Sequence, residues 1–73
     1  MNPEELIQHK THYSKVLSEL KEINSNQDNE RLRIIENKSV LDGYVFYLEK
    51  HGFSEHEITK IIENIKGEIQ WKT

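Results

Sequence analysis

The sequence predicts an all-α fold in which an antiparallel helical hairpin packs against a shorter third helix, forming a three-helix bundle. Two observations predict it. Apolar residues recur at helical spacing in three segments, and each segment is separated from the next by polar residues or by a helix-capping signal. The 73-residue length is that of one domain, which we expect to span 1–73.

The first helix is predicted over about 3–23. Asn2 can cap its N-terminus, and Pro3 suits the first helical position, where its missing N–H is not needed. The apolar stripe of this helix consists of Leu6, Tyr13, Val16, Leu20 and Ile23. These residues recur at the spacing of one helix face, so the predicted helix is amphipathic. The segment 24–29 contains no apolar residue, and we expect it to be a loop short enough to make its neighbours antiparallel.

The second helix is predicted over about 29–51. Ile34, Leu41 and Leu48 recur every seven residues and predict its core-facing line. Gly52 is placed to adopt the left-handed conformation that ends a helix. Residues 37–39 are a weak point, and the pattern leaves open whether the helix is kinked there.

The third helix is predicted over about 55–68. Ser54 and Glu57 lie three residues apart and have the pattern of a capping box, in which each satisfies a backbone N–H of the other. Its apolar face consists of Ile58, Ile61, Ile62, Ile65 and Ile69. This face is expected to pack on the hairpin.

The composition narrows the class of protein. Leu, Ile, Val and Phe make up about 27% of the chain, above the roughly 20% below which charged chains stay disordered. The chain has no cysteine, no signal peptide pattern and no apolar run that could span a bilayer, so we expect a cytoplasmic protein. The net charge of −3 is distributed evenly along the chain, which does not favour nucleic acid as a partner.

Candidate chemical sites are weak. His9 and His12 lie three residues apart, with Glu5 one turn earlier, but a single helix face lacks the ligand from another element that usually completes a metal site. Acid–base catalysis requires carboxyl groups in unlike environments around a pocket, and no such pattern is evident. We therefore expect no catalytic residue, no metal and no cofactor.

The most informative segment is 40–48, where the second helix is apolar on nearly all sides. Part of this surface should face the other two helices, and part should face another chain, since aromatic residues are enriched in interface cores. The residues we assign to a protein interface are Val40, Tyr44, Phe46 and Tyr47.

The sequence therefore favours a small non-enzymatic protein that binds another protein, or a second copy of itself as a homodimer, through a helix face. A regulator or inhibitor of a larger bacterial or phage protein would suit the size and the Ile-, Lys- and Asn-rich composition. The alternative is a nucleic-acid-binding regulator that uses the turn and helix after Gly52. A minimal enzyme using Asp42 or His51 is a third hypothesis, which nothing in the sequence supports.

Overall fold

The fold is a bundle of three α-helices, as the sequence predicts. The computed structural model describes residues 2–69, and the domain boundaries we expected at 1 and 73 lie outside that range. Helix α1 spans Pro3–Asn26, α2 spans Glu30–Lys50 and α3 spans Glu55–Glu68. Within residues 2–69, no helix combines the length and the apolar character needed to cross a membrane.

Each helix begins at a side-chain cap. The Asn2 side chain accepts a hydrogen bond from the Glu5 amide, and Asn29 accepts one from the Leu32 amide. Ser54 and Glu57 form the predicted capping box, with the Ser54 amide donating to the Glu57 carboxylate at 2.9 Å and the Glu57 amide donating to Ser54 Oγ at 3.2 Å. These bonds satisfy amides of the first turns that have no partner within their own helices.

The end of α2 follows the predicted glycine stop. Gly52 has a φ of 81°, which lies in the left-handed region where a side chain would be strained. Its amide donates to the Glu49 carbonyl, and the Phe53 amide donates to the Leu48 carbonyl, each at 3.1 Å. This pair of bonds is a Schellman motif. It turns the chain so that α3 starts beside the last turn of α2.

Helix α1 runs three residues beyond its predicted end because Asn24 has partners inside the hairpin. Its Nδ2 donates to the Leu20 carbonyl at 2.8 Å and to Asn37 Oδ1 at 2.9 Å, and Asn37 Nδ2 donates back to Asn24 Oδ1 at 3.1 Å. The connection is therefore only 27–29. Asn37 is 1% exposed, and α2 passes through it without interruption.

Helix α2 is the centre of the bundle. It packs against both α1 and α3, and its packing on α1 is the more extensive. All three helices contribute to a single apolar core, whose buried members are Val16, Leu20, Leu41, Tyr44, Leu48, Ile58, Ile65 and Ile69. Partly buried side chains, including Tyr13 and Phe53, complete its edges.

Two residues predicted to face the core are exposed instead. Ile34 and Leu6 each keep almost half of their surface accessible. Helix α3 has 14 residues and is about 21 Å long, too short to run back from Gly52 as far as Ile34. Leu6 lies beyond the end of α2, because His9 already contacts Phe53, which follows that helix. The heptad spacing was correct, but the neighbouring helices are too short to cover both positions.

Candidate interaction surface

The four predicted interface residues do not form one surface. Tyr44 is buried in the core, so it adds nothing to the exterior of the folded chain. Val40 and Tyr47 are partly buried and pack against the core. Phe46 is 58% exposed, and it is the one residue of the four whose side chain is largely accessible to solvent.

Tyr47 belongs to a cluster of aromatic rings between α1 and α2. Its ring stacks on His12 at a centroid distance of 3.8 Å, and the His51 ring lies tilted against it at a centroid distance of 4.3 Å. His9 stacks on Phe53 at 4.9 Å. The histidine rings of α1 are therefore used as flat packing surfaces. Within residues 2–69, no group of three or more histidine, aspartate or glutamate side chains is placed to hold a metal ion.

Burial controls the titration of this region. Desolvation lowers the pKa of His12, and the nearby positive charge of Lys15 lowers it further, while Glu19 opposes the shift. Burial raises the pKa of Tyr44 to about 12. Burial, together with the hydrogen bond that Tyr13 donates to Glu68 at 2.5 Å, raises the pKa of Tyr13 to about 12. Both tyrosines therefore stay protonated at neutral pH, and His12 is held in its neutral form.

A second apolar surface lies on the side of α2 that faces away from the core. At 100° per residue, six exposed positions of α2 fall on this side. One is Lys50 in the last turn, and the other five we call the outer face of α2: Leu32, Ile35, Ser39, Gly43 and Phe46. The three large side chains are 46%, 56% and 58% exposed in chain order. Ser39 and Gly43 lie between them, and a side chain built at Gly43 would meet nothing within 4 Å.

Sequence reasoning found Phe46 but missed the rest of the outer face. The heptad pattern does not single out Leu32 and Ile35, because it assigns Ile34 to the core in the same turn. The signal was nevertheless present. The spacing of 32, 35, 39, 43 and 46 keeps every step at three or four residues, which places them on one side of a helix.

Charged residues follow one edge of the outer face in a simple order. Arg31 and Lys38 lie in the first half of α2, and Asp42 and Glu49 lie in the second half. Lys38 and Asp42 form an exposed ion pair at 2.9 Å. Lys50 lies 4.7 Å from the centre of the Phe46 ring, in cation–π geometry. Arg31, Lys38, Asp42 and Glu49 therefore make this edge positive at its start and negative at its end, while Lys50 adds a positive charge on the outer face beside Phe46.

The helix after Gly52, which the alternative hypothesis assigned to nucleic acid, has a mixed surface. Lys60 is exposed on α3, and so are Glu55 and Glu63.

Comparison with protein-family models, with curated proteins and with solved structures finds no match to this chain.

Proposed function

We propose that the protein acts by binding another protein chain through the outer face of α2, without catalysing a reaction. One observation supports the proposal above the others: Leu32, Ile35 and Phe46 are each about half exposed and share one side of a single helix. None of the three belongs to the buried core or to the partly buried side chains that pack against it.

The physical argument is the free energy of apolar surface in water. Removing such surface from water is favourable by roughly 25 cal/mol per Å². Scattered apolar residues on a surface are ordinary, whereas half-exposed apolar residues aligned on one helix face, with an aromatic ring among them, are typical of an interface. Here Leu32 and Ile35 lie one turn apart, and Phe46 lies about 16 Å further along the same face. A regular helix presents such a group in a fixed arrangement, so a partner would meet it without ordering a loop. The bound chain is a different protein or a second copy of this one, and regulation or inhibition is the role we assign to binding a different protein.

A photo-cross-linking amino acid at position 46 tests the proposal in living cells of the source organism. Cross-links to a protein chain should form at Phe46, and the same amino acid at exposed Glu63 on α3 should give far fewer. Equal yields at the two positions, or no cross-link at either, would overturn the proposal. Mass spectrometry of the cross-linked band then identifies the chain that was bound.

A further inference from the structure

We infer that the chain bound by the outer face of α2 is a second copy of this protein, paired antiparallel about a two-fold axis near Val40. The inference rests on the proposed function and names its partner. It follows from the order of charges along α2 and from the placement of the apolar residues beside them.

The charges are self-complementary only when the two helices run in opposite directions. Arg31 lies nine residues before Val40 and Glu49 lies nine after it, while Lys38 and Asp42 lie two before and two after. In an antiparallel pair the same edge of each helix faces its counterpart, as in antiparallel coiled coils. Arg31 is then level with Glu49 of the second copy. Parallel helices would instead place Arg31 level with Arg31.

The central charges add to this arrangement. Lys38 and Asp42 already pair within one helix at 2.9 Å. At the two-fold axis, these two charges meet the same two charges from the second copy in reverse order. Four charges of alternating sign then surround the axis, and each has an opposite charge on either side. A second copy carries the matching order of charges by symmetry, with no further requirement on its sequence.

The apolar residues fit the same axis. Ile35 lies five residues before Val40 and Phe46 lies six after it, so each ring comes level with Ile35 of the second copy. Ser39 and Gly43 are small and lie between these two contacts, where the helix backbones approach. Glycine within a helix is about 1 kcal/mol less favourable than alanine, and no intrachain neighbour lies in the space beside Gly43. Close approach of a second helix gives that glycine a packing role.

The size of the surface sets the strength of the pairing. The outer face runs over 14 residue steps, about 21 Å, and is one helix wide. Such a contact is at the small end of the size range of specific interfaces, so we expect a dissociation constant on the order of micromolar to sub-millimolar. Sedimentation equilibrium at about 10 μM to 1 mM covers that range and should show a concentration-dependent rise from the chain mass of 8.7 kDa towards twice that value.

Charge reversal tests the direction of pairing. Arg31→Glu and Glu49→Arg each place like charges opposite one another in both symmetric contacts, and each should weaken the dimer about tenfold. An equimolar mixture of the two variants should associate as strongly as the parent, because each chain then supplies the charges that the other lacks. Lys60→Glu and Glu63→Arg make the same charge changes on α3 and should leave association unchanged. Circular dichroism should show parent helicity for all four variants, since these positions are exposed.

The outcomes separate the inference from the proposed function. A parent chain of 8.7 kDa at every concentration overturns the second copy, and a cross-link from position 46 to a different protein would then retain the proposed function. A dimer that is indifferent to both reversals, or that the mixture fails to restore, overturns the antiparallel pairing. A dimer that persists in Phe46→Glu shows that another surface holds it and overturns the inference as well.

Discussion

Breaking the amide pair between Asn24 and Asn37 should destabilise the hairpin by an amount that the structure fixes in sign and in scale. Asn24→Leu removes both hydrogen bonds between the side chains and leaves the Asn37 amide, which is 1% exposed, without its partner. Leaving a buried amide without a hydrogen-bond partner destabilises the fold by about 1–3 kcal/mol, which is the free-energy cost of removing the amide from water. The free energy of unfolding should fall by that amount.

The expected loss is large for a chain of this size. Each 1 kcal/mol shifts the melting temperature of a 60–100-residue domain by about 4–8 °C, so a loss of about 2 kcal/mol lowers it by roughly 8–16 °C. Urea unfolding followed by circular dichroism at 222 nm gives the free energy directly, provided that the transition is two-state. Asn64→Leu makes the same replacement at an exposed position of α3, and it supplies the baseline for helix propensity.

The double variant separates the pair from its two members. Replacing Asn24 and Asn37 together with Leu leaves no unpaired amide and substitutes apolar groups of similar size, so its stability should return close to that of the parent. The losses of the two single variants should therefore be far from additive. If they add, or if each single variant unfolds within about 0.5 kcal/mol of the Asn64→Leu control, the amides do not pair as described.

Three further outcomes follow from burial, capping and titration. Leu41→Ala should lower the free energy of unfolding by about 2–5 kcal/mol because the side chain is buried in the core, and Ile34→Ala should lower it by much less; equal losses would contradict the central position of α2. Ser54→Ala should lower it by about 1 kcal/mol in urea melts, and an unchanged midpoint would place the start of α3 elsewhere. Because burial lowers the pKa of His12 below 6.5 in the folded chain, the unfolded chain binds that proton more tightly, and stability should fall as the pH drops through about 6.5. Melts at about pH 7.5 and 5.5 should show this difference, which His12→Gln should reduce and His56→Gln should not.

Features that depend on neighbouring residues in the chain were predictable from the sequence. The caps at Asn2 and Ser54 and the stop at Gly52 each form within a few residues, and all three appear where they were expected. The helix count followed from periodicity, and the central position of α2 followed from the apolar residues around segment 40–48. The caps, the stop and the helix spacing are local because they involve only residues within about one turn.

Features that depend on distant residues were not predictable. Asn24 was assigned to the loop because asparagine disfavours helix interiors, and nothing nearby in the sequence indicates that Asn37 would pair with it. Ile34 was assigned to the core because its heptad spacing matches that of Leu41. Its exposure depends on how far α3 reaches, which is a property of three-dimensional packing. The heptad pattern also passes over Ile35, because it assigns one apolar residue of that turn to the core and says nothing about a second residue that faces another side of the helix.

The two ends of the hairpin are held together by different interactions, and this difference determines where a partner chain would add the most apolar contact. Near Gly52 all three helices meet and the apolar core is continuous. Near the loop, the part of the chain that the structure describes (2–69) contributes only α1 and α2, joined by the amide pair and by the hydrogen bond from Gln27 to Glu36 at 2.9 Å. Such polar contacts fix the register of two helices but contribute only about 0.5–1.5 kcal/mol each. Leu32 and Ile35 lie at this less supported end, so burying them against another chain supplies apolar contact where α3 supplies none.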